Sequence, residues 1–184
     1  MQNKRKLILL SIVFVLIIAI AALSYEYING NYDAGDTEST ASTAPIQAPN
    51  FIVYNEAGDE VKYSDFVGKP IIINFWASWC GPCVSEMPVF DKLYKEIGDD
   101  VVFLMVNLTD GGRETKEAAN KFVEKGGYSF PIYYDTKYNA ASVYGVSSIP
   151  ATIFIDAEGN IKDSYLGALS EKLFRTKLKS IYNQ

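Results

Sequence analysis

The 184-residue chain is 48% apolar and 14% aromatic, ample for one compact domain with an N-terminal appendage. Its formal charge is −5, and residues 29–184 hold 14 basic and 21 acidic residues, a net charge of −7. Such a domain lacks the positive surface that nucleic acids bind, so we expect no nucleic-acid partner. With two cysteines and no histidine, the chain has too few soft ligands for a four-coordinate zinc site, and we expect neither a metal nor a cofactor.

The N-terminus predicts a membrane anchor. Lys4, Arg5 and Lys6 precede an uncharged apolar stretch, residues 7–23, which is long enough to span a bilayer. The basic cluster predicts that this end stays in the cytoplasm and that the rest is exported. The alternative is a cleaved signal peptide with a small-residue site at 19–21, but the apolar stretch is longer than such peptides usually have. Residues 1–28 are therefore predicted to be a basic tip and a single transmembrane helix.

Residues 29–47 are mostly small and polar, which predicts a flexible linker, and the folded domain is predicted to span residues 48–184. The domain opens with residues 51–54 and 61–63, which flank a turn containing Gly58 and indicate an N-terminal β-hairpin. A short helical turn is expected over residues 64–69.

The next stretch contains both cysteines. Residues 71–76 are apolar and rich in isoleucine, typical of a strand buried on both faces. Apolar residues then recur at the spacing of a helix face, namely at Cys83, Met87, Phe90, Tyr94 and Ile97. Pro82 suits the first turn of a helix, where its missing N–H has no partner to lose. Cys80 is therefore predicted at or just before the helix N-terminus.

That position favours redox chemistry at Cys80. Unpaired backbone N–H groups and the helix dipole stabilise a thiolate, and in Cys-x-x-Cys pairs the pKa falls from about 8.5 to roughly 3.5–7.5. Cys80 is predicted to be the exposed nucleophile and Cys83 the buried resolving thiol. A structural disulfide is the alternative, but so short a loop restrains the unfolded chain little. Haem attachment would need a histidine where Val84 stands.

Strands and helices alternate along the rest of the chain. We predict strands at 101–106, 131–134, 151–155 and 161–166, with helices at 113–125 and 137–144. Ser170 is predicted to cap a last helix whose core face carries Leu173, Phe174, Leu178 and Ile181. This order fits an α/β fold, a three-layer sandwich with a central mixed sheet.

Residues 79–83, Trp-Cys-Gly-Pro-Cys, follow Phe-Trp-Ala-Ser and are followed by Glu-Met-Pro at 86–88. This pattern resembles the thioredoxin superfamily, and within it the membrane-anchored TlpA/ResA-like thiol–disulfide oxidoreductases. The likeness runs from about residue 48 to the C-terminus and implies a thioredoxin-like fold.

The resemblance also implies a substrate site. Pro150 occupies the place of a cis-proline that faces the redox pair, which would expose the backbone of Ile149 for pairing with a substrate peptide. The alternative for Pro150 is an ordinary trans-proline at a strand edge. Trp79, Gly81 and Pro82 are expected to complete the docking surface; Trp79 alone could also be a packing residue.

Two further residues concern proton transfer. Asn74 stands where thioredoxins carry a buried aspartate, and asparagine cannot titrate. Glu86 stands where the TlpA/ResA-like pattern keeps a glutamate, and it could take the Cys83 proton if burial raises its pKa. The alternative is an ordinary exposed helix glutamate.

The predicted function is that of an extracytoplasmic thiol–disulfide oxidoreductase at the cell membrane. The resemblance implies reduction of disulfides in exported proteins, such as apocytochrome c, with a membrane thiol transporter as electron donor. The alternatives are an oxidase that installs disulfides, a peroxiredoxin-like peroxidase, and a non-enzymatic membrane-anchored binding domain.

Overall fold

The computed structural model describes residues 45–182 and, nearer the N-terminus, residues 14–25 with Lys6 and Ile12. Residues 1–44 and 45–184 form two separate compact units. In the first unit, residues 14–25 are helical. No described helix is both long enough and apolar enough to cross a bilayer. Much of the predicted anchor and most of the predicted linker lie outside the described residues.

The second unit is built on a seven-stranded sheet with the order β2-β1-β5-β4-β3-β6-β7. The pairs β3–β4 and β4–β5 are parallel, whereas all the other neighbouring pairs are antiparallel. The central mixed sheet is therefore confirmed. The strands are β1 (Ile52–Tyr54), β2 (Glu60–Lys62), β3 (Ile71–Trp76), β4 (Val102–Asn107), β5 (Ile132–Tyr134), β6 (Ala151–Ile155) and β7 (Ile161–Leu166).

Four helices accompany this sheet within residues 45–182: α1 (Gly81–Ile97), α2 (Lys116–Gly126), α3 (Asn139–Val143) and α4 (Glu171–Leu178). A short 3₁₀ turn, Tyr63–Phe66, follows β2. Ser170 caps α4 as predicted, since its side chain accepts a hydrogen bond from the Leu173 N–H. Helix α2 begins three residues later than predicted, because Thr115 takes the cap position and accepts from the Ala118 N–H.

The core lies on both faces of the sheet. Residues of β3 belong to two clusters, one on each face. Ile72 and Trp76 belong to a cluster with apolar residues of α1, α2 and α4. Ile71, Ile73 and Phe75 belong to a second cluster with residues of β1 and α3. All six residues of β3 are buried, as expected for a central strand with helices on both faces. The result is the predicted three-layer sandwich, in which β3 delivers the chain to the first turn of α1.

The folded unit begins slightly before the predicted boundary at residue 48. The Ile161 N–H donates to the Ile46 carbonyl at 2.8 Å, and the Ala48 N–H donates to the Gly159 carbonyl at 2.8 Å. Gln47 forms an isolated bridge with Asn160. Ile46 and Gln47, predicted as part of the linker, therefore pair with the β6–β7 turn and the start of β7.

One substitution tests the packing of the larger cluster. Phe174 is fully buried, and its ring lies 4.9 Å from that of Phe90 and 5.7 Å from that of Phe154. Phe174→Ala should lower the free energy of unfolding by about 3–5 kcal/mol, because it leaves a cavity in this cluster. The control is Leu166→Ala, whose side chain is 62% exposed and should cost less than about 1 kcal/mol. Equal losses for both variants in chemical denaturation would contradict this description of the core.

Candidate active site

The two cysteines lie where β3 passes into α1. Cys80 is the N-cap of α1, and its Sγ accepts a hydrogen bond from the Cys83 N–H at 3.2 Å. Pro82 lies in the first turn of the helix, as predicted. The cysteines form a disulfide with an S–S distance of 2.10 Å and a Cα–Cα distance of 5.2 Å. The pair can therefore be oxidised and reduced at the positive end of a helix of 17 residues.

Cys80 is less exposed than predicted. In the disulfide its accessible fraction is 5%, against 0% for Cys83, so the order of exposure is as predicted but the description of Cys80 as exposed is wrong for this state. Cys80 Sγ is bonded to Cys83 Sγ, and the Ile149 carbonyl oxygen lies 3.7 Å from it. Cys80 nevertheless lines an open cleft, which Cys83 does not.

The peptide bond between Ile149 and Pro150 is cis, so the alternative of a trans-proline is wrong. The cleft beside it has a volume of about 520 Å³ and is lined by Trp79, Cys80, Gly81, Pro82, Leu108, Asp110, Arg113, Tyr138, Val146, Ser147, Ser148 and Ile149. Four of the five predicted docking residues are among them. Pro150 is buried behind this surface rather than lining it.

Sequence reasoning missed the wall formed by the loop after β4. Arg113 places its guanidinium carbon 3.6 Å from the centre of the Trp79 ring, a cation–π contact. Trp79 is 42% exposed, contacts Arg113 and lines the cleft, while its role in docking stays a prediction. Residues 111–115 carry no recognisable motif. An arginine near the start of a helix is commonly a solvent-exposed residue, so nothing in the sequence singled out Arg113.

Glu114 ties this loop to the redox turn. Its side chain is fully buried, and Oε1 accepts from the Ser78 N–H at 2.9 Å and from Asn107 Nδ2 at 2.7 Å. Oε2 accepts from Ser78 Oγ at 2.7 Å. Because Ser78 precedes Trp79 and Arg113 precedes Glu114, these bonds also bring Arg113 to the Trp79 ring. No local sequence signal indicates such a contact between distant segments.

Glu86 is buried, with only 1% of its surface exposed, so the alternative of an exposed helix glutamate is wrong. Burial raises the pKa of its carboxyl to about 7, although hydrogen bonds from Leu169 and Asn74 act in the opposite direction. Oε2 accepts from the Leu169 N–H at 2.8 Å, and Oε1 accepts from Asn74 Nδ2 at 2.9 Å. Glu86 is thus poised to change protonation state near neutral pH.

Asn74 anchors this carboxyl from the central strand. It is fully buried, and its Nδ2 donates also to Thr152 Oγ1 at 3.0 Å, across the β3–β6 pair. The titratable carboxyl of Glu86 therefore belongs to α1, and the Asn74 amide that binds it belongs to β3. Glu86 follows Cys83 by three residues on α1, a spacing that puts both side chains on one helical face.

The described residues contain no cluster of three or more cysteine, aspartate or glutamate side chains that could hold a metal ion. The arrangement places together a cysteine pair and, one helical turn further along α1, the buried carboxyl group of Glu86.

Comparison with known proteins agrees with this geometry. Residues 46–164 match the AhpC/TSA family model. The chain is 33% identical over 182 residues to the thiol–disulfide oxidoreductase ResA of Geobacillus thermodenitrificans, covering 98% of this chain and 99% of that protein. It is 30% identical to ResA of Bacillus subtilis, covering 98% and 96% of the two chains.

Among solved structures, the exposed lipoprotein thioredoxin Etrx1 of Streptococcus pneumoniae is similar, with a TM-score of 0.60 and 31% identity over 72% of this chain and all of that one. The cysteine pair lies at a strand-to-helix junction, and the ResA relatives are matched over nearly their whole length. The chain therefore belongs to the AhpC/TSA family, has a thioredoxin-like fold and is a thiol–disulfide oxidoreductase of the ResA type.

Proposed function

We propose that the protein reduces disulfides in exported proteins on the extracytoplasmic side of a membrane, anchored there by residues 7–23. The observation that carries the proposal is the Cys80–Cys83 pair at the start of α1, with Cys80 on the cleft and Cys83 behind it. The basic residues before the apolar stretch support the orientation. The description of Etrx1 as an exposed lipoprotein supports the location.

The reaction is a two-step exchange. The Cys80 thiolate attacks one sulfur of the substrate disulfide; a mixed disulfide forms, and the other substrate sulfur leaves as a thiolate that takes a proton. The Cys83 thiolate then attacks Cys80 Sγ, forming the Cys80–Cys83 disulfide and releasing the second substrate thiolate. Two electrons pass from the pair to the substrate. A membrane thiol transporter would return them, and apocytochrome c is the proposed substrate class; both follow from the family resemblance.

Each site residue has a proposed role in this exchange. Trp79, Gly81 and Pro82 border the nucleophile and would contact the substrate. Ile149 offers its backbone beside the cleft, where an extended segment can pair with it. Pro150, which is buried, would hold the backbone of Ile149 in the position that the substrate segment needs.

Glu86 is proposed to accept the Cys83 proton before the second step. A base with a pKa near 7 is well matched to proton transfer at physiological pH, because roughly half of it is ionised and free to accept a proton. Asn74 cannot take this role, but its Nδ2 fixes one oxygen of the Glu86 carboxyl.

The assignment of the nucleophile can be tested by trapping. Cys83→Ser should accumulate mixed disulfides with substrate proteins, because the second step is lost. Cys80→Ser, the matched control, should trap far fewer because its remaining thiol lies buried behind the cleft. Non-reducing electrophoresis of material from cells that express each variant measures this. More adducts with Cys80→Ser than with Cys83→Ser would reverse the assignment.

The role of Glu86 predicts a pH profile. Release of the mixed disulfide should accelerate as pH rises through about 7 in the wild type, since the carboxylate form accepts the proton. Glu86→Gln should slow this step by about 10²-fold and remove the inflection. Glu96→Gln, on the exposed part of the same helix, is the control. Rapid-mixing kinetics from pH 5 to 9 that show the same profile for Glu86→Gln would contradict the proposal.

A stability measurement separates the burial of Glu86 from its role in proton transfer. Its carboxyl has a pKa of 4.5 when unperturbed and about 7 in the fold. Between these values the folded state binds more protons than the unfolded state, so stability must fall as pH rises through this window. The loss should reach about 3 kcal/mol in the wild type relative to Glu86→Gln. A pH-independent difference between the two proteins would mean that the carboxyl ionises normally.

A further inference from the structure

The cleft beside Cys80 carries two charged residues on its lining, Asp110 and Arg113. Asp110 uses its Oδ1 within its own loop, where it accepts from the Gly112 and Glu114 N–H groups at 2.8 Å each. Arg113 is exposed and, in the described part of the chain, is not among the residues that form ion pairs. Its charge interacts with the Asp110 carboxylate, whose pKa is lowered by backbone N–H groups and also by Arg113. None of the described hydrogen bonds or ion pairs uses the Arg113 guanidinium, so its N–H donors are available to a ligand in the cleft.

The guanidinium of Arg113 lies over the Trp79 ring, with its central carbon 3.6 Å from the ring centre. The buried Glu114 holds the two partners together through Ser78, with hydrogen bonds of 2.9 and 2.7 Å. A cation held in place before binding loses less conformational entropy when a ligand arrives. Trp79, Cys80 and Arg113 line the same cleft, so a segment that reacts with Cys80 there comes near this cation.

We propose that Arg113 is a substrate-selecting residue that favours polypeptide segments with an acidic side chain next to the disulfide-bonded cysteine. The inference rests on the proposed function. Guanidinium binds carboxylates through paired hydrogen bonds, while its remaining face stays on the aromatic ring. Residues 29–184 carry a net charge of −7, which disfavours an acidic partner elsewhere on the surface. Arg113 gives such a segment a favourable contact at the redox pair.

Asp110 is the other charged residue on the cleft lining, and its charge is opposite to that of Arg113. The backbone N–H groups of Glu114 and Gly112 lower the pKa of its carboxyl, so it is ionised at neutral pH. The Arg113 charge also lowers the pKa of Asp110, and burial together with the Asp110 charge raises the pKa of Tyr138, so Asp110 interacts with both residues of the lining. Without Arg113, Asp110 is the remaining charge on the lining. Removing the arginine should therefore shift the preference towards basic segments.

The test uses three peptides with one intramolecular disulfide each, identical except for Glu, Gln or Lys next to the first cysteine. Reduced full-length protein is mixed with each peptide, and the second-order rate of its oxidation is measured. Each rate is divided by the rate at which dithiothreitol reduces the same peptide, which removes differences in intrinsic reactivity. The wild type should prefer the Glu peptide over the Lys peptide by about fivefold at low ionic strength, and less at 0.5 M salt.

Variants of Arg113 test whether this residue causes the preference. Arg113→Gln should abolish or reverse the ratio of the Glu-peptide rate to the Lys-peptide rate, and Arg113→Glu should reverse it. Each variant's rate on the Gln peptide is its own reference, so that a general change in reactivity cancels from the ratio. Lys121→Gln makes the same charge change at an exposed position of α2, away from the cleft lining, and should leave the preference unchanged.

The outcomes distinguish the two proposals. Equal normalised rates for all three peptides with the wild type, or a preference that survives in Arg113→Glu, would overturn the role of Arg113 and leave the reductase function intact. Failure of the reduced protein to reduce any of the peptides would overturn both.

Discussion

The junction between β3 and α1 is the constraint on which the rest of the site depends. A strand buried on both faces ends at Trp76, and four residues later Cys80 caps the following helix. The N–H of Cys83 points at the Cys80 sulfur, where it stabilises negative charge. The stability of the core thus holds the redox pair at the helix N-terminus, because moving either element would expose β3.

Two buried carboxyl groups organise the surroundings of this junction in different ways. Glu114 accepts three hydrogen bonds from Ser78 and Asn107 and so fixes the loop that carries Arg113. Glu86 has two donors, and its desolvation outweighs them, so its pKa rises to about 7. The first group serves as a structural tie, whereas the second is suited to exchanging a proton with the buried half of the pair.

Local patterns in the sequence predicted the elements that carry the chemistry. Three local signals were read correctly: the apolar run of β3, Pro82 in the first turn of α1 and the cap at Ser170. The cis bond before Pro150 followed from the family resemblance. The predicted start of α2 at residue 113 was wrong, because Thr115 caps the helix and so fixes its first residue at Lys116.

What the sequence could not provide depends on contacts between distant segments. Glu86 is buried because Leu169, 83 positions away, donates to it, and the Glu114 contact to Ser78 spans 36 positions. The exposure of Cys80 was overestimated for the same reason, since Ile149 approaches from another part of the chain. The Arg113 cation is likewise far from Cys80 in sequence, although both line one cleft.

The direction of electron flow is the central claim, and the reduction potential of the pair tests it most directly. The N–H groups at the start of α1 stabilise a Cys80 thiolate, and we expect this effect to be moderate, so the reduced form should not be strongly favoured. Equilibration of the full-length protein with glutathione or dithiothreitol should give a value near that of thioredoxin, about −270 mV. A value above roughly −180 mV, the level of a disulfide isomerase, would contradict the reductase and favour an oxidase that installs disulfides.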